Sequence, residues 1–262
     1  MTSMAQEPLA RDRPPVELVV DRGAREWARI DAAYERGELD DAGWFAATQA
    51  VTVPAYLAGD NPRAQSGHSG DEARWERARR HILAAVDRPG TFLDIGCASG
   101  HLMETLHAWA AQDGIALEPY GLELSEELAD LARRRLPHWA GRVFSGNALH
   151  WTPPDGRRFD YVRTGLDYVP PRRRGDLLAH LLDVVVGRRL VVGVYNEERD
   201  RPEWVRQVRA LGYHIAGQDE IDHPDPRVVR RVFWVDRDAG VDRDAGLAGS
   251  GPTGRVPDDQ RA

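Results

Sequence analysis

Residues 91–106, TFLDIGCASGHLMETL, constrain the fold more than any other stretch of the chain. An apolar run ends at Asp94, a glycine turn follows, and a helix-like pattern begins at His101. Strand, tight loop and helix in this order form the opening unit of α/β folds that hold nucleotides at the carboxyl rim of a parallel sheet. Gly96 and Gly100 bracket the loop, with Cys97 and Ala98 between them. A dinucleotide fingerprint places glycine at positions 96, 98 and 101 of such a loop, but the chain has Ala98 and His101. A diphosphate ligand, and a nicotinamide-dependent oxidoreductase with it, is therefore disfavoured.

The same alternation continues downstream. EPYGLEL, RVFSGNA, FDYVRTGL and RLVVGVY read as strands, and EELADLARRRL, RRRGDLLAHLLDVVV and RPEWVRQVRALG as helices. YHIAGQ and RRVFWVDR, with no helix between them, read as an antiparallel hairpin at one edge. Strands alternating with helices predict a doubly wound sheet covered on both faces. Upstream, Trp27, Ile30 and Tyr34 recur on one helical face within residues 16–57, and residues 58–70 have loop composition. DEARWERARRHILAAV reads as a helix capped by Asp71, with Trp75, Ile82 and Leu83 facing inward. The expected organisation is a disordered N-terminus (1–15), a helical cap or lid (16–70), the α/β domain (71–235) and a disordered tail (236–262). That tail repeats DRDAG at 236–240 and 242–246.

Composition narrows the function classes. Hydrophobic residues at 42% and charged residues at 29% give a soluble balance, and no apolar run is long enough to span a bilayer. The N-terminal residues lack the apolar core of a secretory signal, and the single cysteine permits no internal disulfide, so a cytoplasmic protein is expected. A net charge of −7 argues against nucleic acid as a partner. Arginine is abundant and lysine absent, which reads as coding bias. The nine histidines show no metal-ligand spacing, so no metal is expected. The arginines of PPRRR, 170–174, read as an exposed helix start. Oligomeric state is left open.

S-adenosylmethionine fits the loop better than a diphosphate, because it carries a zwitterion and a sulfonium and no phosphate. Asp94 would lie near its amino-acid end, with Gly96, Cys97, Ala98 and Gly100 passing beneath the methionine and the helix start favouring the carboxylate. Glu123, followed by Leu124, ends the second strand where an acid accepts bonds from both ribose hydroxyls. Asn147, with the Ala148 amide beside it, follows the third strand and can reach the adenine edge.

On FLDIGCASG, GLELS, GNA and FDYVRTGLDYVP the chain resembles the class I S-adenosylmethionine-dependent methyltransferases, over about residues 71–235. The resemblance implies a Rossmann-like seven-stranded sheet with an antiparallel last strand, and methyl transfer from S-adenosylmethionine. Ala98 stands for the usual middle glycine, and Glu123 for the commoner aspartate. The family's lid and substrate wall would be YLAGDNPRAQSGHSGDEARW, where Arg63 is the candidate for the methionine carboxylate. Such a transfer needs alignment and exclusion of water, and a base only for a protonated acceptor. Asp167, Tyr168 and Tyr195 are the candidates for that base. A small-molecule acceptor is expected; the alternatives are an RNA or protein acceptor, or a protein that binds S-adenosylmethionine without catalysis.

Overall fold

The structure, a computed structural model, describes residues 22–223 and 225–239. Seven strands form one sheet in the order β3-β2-β1-β4-β5-β7-β6. They are β1 (Gly90–Ile95), β2 (Leu117–Glu123), β3 (Val143–Ser145), β4 (Phe159–Thr164), β5 (Val186–Glu198), β6 (Gly217–Asp222) and β7 (Val228–Asp236). β1 pairs in parallel with both β2 and β4, so the strand order reverses there and a crevice opens at the carboxyl rim. β7 is antiparallel to both β5 and β6.

The helices are α1 (Arg22–Glu35), α2 (Asp41–Leu57), α3 (Glu72–Arg79), α4 (His101–Gln112), α5 (Glu126–Arg135), α6 (Arg174–His180) and α7 (Glu203–Ala210). Their ends follow from local chemistry. Asp40, Asp71 and Ser125 cap α2, α3 and α5, each side chain accepting from the backbone amide three residues on. α5 also carries Glu126 and Glu127 in its first turn and three arginines in its last, which complements its dipole. α4 starts from Gly100 in the left-handed region, where a Cβ would meet Leu136 at 2.7 Å.

Side chains alternate across the strands and feed two cores. Leu93, Leu122, Val162 and Val192 pack with Leu177 of α6 and Val205 of α7. Phe92, Tyr161, Val191 and Val232 pack on the opposite face with Trp75 of α3 and Leu102 and Leu106 of α4. Each such large side chain, fully buried, stabilises the fold by ~2–3 kcal/mol.

Two sequence expectations are corrected. The sixth strand is not YHIAGQ but GQDEID: pairing starts at Gly217 opposite Trp234, while Tyr213 and Ile215 precede the strand and pack against the core. Apolar alternation at 213 and 215 marked side-chain burial, whereas the hydrogen-bonded edge is polar. The expected disordered tail starts too early: Asp236 ends β7 and pairs with Arg189, and Arg237–Ala239 form one further turn. The expected N-terminal disorder at 1–15 and the rest of the tail lie outside the described residues. Among the described residues no helix is long and apolar enough to cross a membrane, and no His, Cys, Asp and Glu cluster could hold a metal ion.

Candidate functional site

The crevice at the strand-order reversal encloses about 810 Å³, counting its open mouth. Its floor comes from the loops after β1, β2 and β3, and its roof from α1 and α2. Of the sequence candidates it brings together Gly96, Ala98, Glu123, Leu124, Asn147, Ala148 and Tyr168 along one wall.

Glu123 organises the floor. It is buried, with one carboxylate oxygen accepting from the Ala98 amide at 2.8 Å and the other from the Ser125 amide at 3.1 Å. Burial raises its carboxyl pKa, and the backbone amides oppose that rise. Each oxygen has a lone pair left for a ligand hydroxyl. The loop is shaped to make this contact. The Gly96 amide donates to the Leu122 carbonyl at 2.8 Å, and Gly96 and Ala98 both take positive φ, 72° and 48°. A Cβ at Gly96 would stand 2.8 Å from the Tyr168 ring, so only glycine lets that ring close on the loop. Asn147 turns its carbonyl oxygen to the Leu149 amide at 3.0 Å, which leaves its NH₂ group for a ligand.

Other candidates lie behind the wall. Cys97 is buried beside Met103, Ala129 and Ala132, and burial, then Glu123 and Asp94, push its thiol well above the ordinary value. It remains a protonated packing residue. Asp94 is buried and pairs with Arg163 at 3.2 Å; burial raises its carboxyl and Arg163 pulls it down. Arg163 also donates to the hydroxyls of Tyr168 (2.9 Å) and Tyr195 (3.1 Å), so Tyr195 stands one arginine away from the crevice. Burial pushes the Tyr168 phenol far up, which makes it a poor base. Asp167 is exposed and lies next to Tyr168 but outside the crevice lining; desolvation raises its carboxyl. Arg63 is outside the lining: its guanidinium binds the Gly70 carbonyl and the Glu72 carboxylate. The segment around it docks on the loop differently, through Ser66 and Ser99 hydroxyls 2.8 Å apart.

Sequence reasoning expected a helical cap or lid over residues 16–70 but named none of the side chains that line the crevice from it. Phe45, Gln49, Thr52 and Tyr56 recur at helical spacing on α2 and line the crevice with Trp44 and with Trp27 of α1. Trp27 and Trp44 meet edge to face at 5.6 Å, and the Trp44 indole donates to Asp31 at 2.8 Å. The period was present in GWFAATQAVTVPAY, at 45, 49, 52 and 56, but it marked a face and not what the face covers. The arginines of 170–174 fasten this roof: Arg172 pairs with Glu35, and Arg173 with Asp41.

Residues 92–186 match the family model described as a methyltransferase domain. The match runs from β1 to the start of β5. The matched region thus holds the floor of the crevice, while α1 and α2 lie outside it. A search of curated proteins gives no match. Several solved structures share the fold. A 1,6-didemethyltoxoflavin N1-methyltransferase from Burkholderia thailandensis, crystallised with 1,6-didemethyltoxoflavin and S-adenosylhomocysteine, is 17% identical over 76% of this chain and 90% of its own, with a TM-score of 0.56. The N-methyltransferase NodS from Bradyrhizobium japonicum, in complex with S-adenosylhomocysteine, is 13% identical over 71% of this chain and 95% of its own, with a TM-score of 0.51. The small RNA methyltransferase HEN1 is 13% identical over 66% of this chain and 26% of its own, with a TM-score of 0.50.

Proposed function

We propose that the protein transfers a methyl group from S-adenosylmethionine to a small-molecule acceptor. The observation that carries this reading is the chemistry of the crevice lining: one carboxylate, two side-chain amides and several aromatic rings, with no arginine, in a chain rich in arginine and without lysine. A diphosphate would meet a buried carboxylate and no counter-charge. A sulfonium with two ribose hydroxyls meets aromatic faces and the free lone pairs of Glu123.

In this reading Glu123 holds the ribose, Asn147 and the Ala148 amide hold the adenine, and the Gly96–Ala98 turn lies under the methionine. When bound, S-adenosylmethionine supplies a methyl carbon activated by its sulfonium. The roof of α1 and α2 excludes water, and Tyr168, held by Arg163, fixes the wall between cofactor and acceptor. Asp167 takes the acceptor's proton, because its raised carboxyl pKa suits a base better than an ordinary aspartate does. The enclosed, aromatic roof supports a small acceptor over a macromolecule.

Calorimetric titration with S-adenosylhomocysteine tests the reading. The wild type should bind it and ignore NADH. Glu123→Ala removes two hydrogen bonds to a charged group, worth ~1.5–3 kcal/mol each, and should weaken binding about 100-fold or more. Unchanged affinity would remove Glu123 and the assigned pose. S-adenosylhomocysteine formed with a candidate acceptor separates catalysis from mere binding.

A further inference from the structure

Four arginines are buried among the described residues, and they differ in their partners. Arg163 pairs with Asp94, Arg189 with Asp236 and Asp87, and Arg231 with Glu197 and Glu220. Arg230 is only 7% exposed, and no carboxylate among the described residues pairs with it. Its neighbours are cations. Burial, and then the charges of Arg74, Arg79 and Arg77, hold Arg230 below the ordinary guanidinium value. None of those three pairs with a carboxylate either; Arg79 lies 3.7 Å over the Tyr195 ring and 5.0 Å over Trp75. Arg74 and His68 converge: a Cβ at Gly70 would stand 2.5 Å from Arg74 Cδ and 2.7 Å from His68 Nε2. That His68 nitrogen is buried without a partner. Asp219 lies 3.7 Å from His81, and among the described residues no arginine pairs with it.

Like charges gathered in a partly desolvated place are costly, and a buried charge left without a counter-ion costs several kcal/mol. The group is therefore complete only with an anion. It also adjoins the crevice. Arg79 and Arg163 sit close enough to Tyr56 of the roof to pull its phenol down against burial, and Tyr195 links Arg79 to Arg163 and so to Tyr168.

We propose that Arg230, Arg74 and Arg79, with His68, form an anion-binding subsite that takes the carboxylate or phosphate of the methyl acceptor. The inference rests on the methyl-transfer reading above and names the acceptor class it serves. Arginine forks match both oxyanions bidentately, and His68 Nε2 adds a donor as its N–H tautomer.

Titration calorimetry of the full chain at low ionic strength, with inorganic phosphate and separately with benzoate, tests it. At least one anion should bind saturably, and Arg230→Gln and Arg74→Gln should each weaken that binding tenfold or more. Both variants should bind S-adenosylhomocysteine within twofold of wild type. Arg74 is exposed and makes no side-chain hydrogen bond, so its variant keeps the test sound if Arg230→Gln does not fold. A preference for phosphate indicates a phosphate ester as acceptor, and a preference for benzoate a carboxylic acid. Absence of anion binding, or equal binding by wild type and Arg74→Gln, would overturn the subsite while retained S-adenosylhomocysteine binding leaves the cofactor reading standing. Loss of S-adenosylhomocysteine binding by the wild type would instead sink the cofactor reading.

Discussion

The carboxyl rim of the sheet is two regions of opposite character. On the β1–β3 side, Glu123 and Asn147 face an aromatic roof, and backbone amides do most of the holding. On the β4–β7 side, Arg163 bonds the Tyr168 and Tyr195 hydroxyls, Arg79 lies over the Tyr195 ring, and Arg230 is buried without a carboxylate partner among the described residues. One sheet thus presents a cation-tolerant pocket beside a cationic one. The contrast teaches that a strand-order reversal fixes only where a crevice opens. The side chains on each flank decide what enters it.

The seam between the regions is the Asp94–Arg163 pair, and breaking it should have the largest effect on stability. Asp94→Ala or Arg163→Met alone strands a buried charge and should cost ~3–5 kcal/mol in urea unfolding. The double variant Asp94→Leu/Arg163→Met should cost clearly less than the sum of the two, because no charge is left unpaired. Additive losses would mean that the seam is not a working ion pair.

Acid tests the contrast, because the arginine side resists taking up further positive charge. Burial holds His81 at about 4, with Arg79 and Arg230 assisting and Asp219 opposing. The ordinary value is 6.5. Between those two values the unfolded chain takes up a proton that the folded chain refuses. Stability should therefore be complete above pH 6.5 and fall as the pH drops toward 4, by ~2–3 kcal/mol from this residue. His68 is held at about 4 in the same way and adds to the fall with the same sign, though it is more exposed. His81→Leu should flatten the curve in this window, as followed by denaturant midpoints from pH 7 to 4.5. An unaltered slope would mean that His81 titrates normally.

The smallest effect belongs to the other side. Ala98 is the one non-glycine residue with positive φ among the described residues. Ala98→Gly should relieve that strain and raise stability by about 1 kcal/mol, with S-adenosylhomocysteine affinity unchanged because the donated bond comes from the backbone. A drop in stability would show that the Cβ packs usefully.

Much of this was legible in the residues. HLMETLHAWAAQ is α4 from end to end, because its apolar spacing and the glycine before it agree. FLDIGCASG and GLELS place their loops correctly, because a buried parallel strand leaves an unbroken apolar run up to its functional acid. The misreadings share a cause. Arg63 stood in a polar loop near the expected ligand, but proximity in sequence did not reveal that Glu72 would claim its guanidinium. Arg230 and Arg231 are adjacent and chemically identical on paper. Only the pleat, which sends one to Glu197 and the other toward Arg74, distinguishes them. α2 fell within the expected cap or lid of residues 16–70, but which of its side chains face the crevice was not legible.

The sixth strand carries a further consequence. Its outer border runs Gln218, Asp219, Glu220, Asp222, and the opposite border of the sheet, β3, is three residues long. One margin repels a copy of itself and the other is too short to template one. Molecules crowded together should not zip into continuous ribbons through their backbones, and self-association, where it occurs, falls to side-chain surfaces.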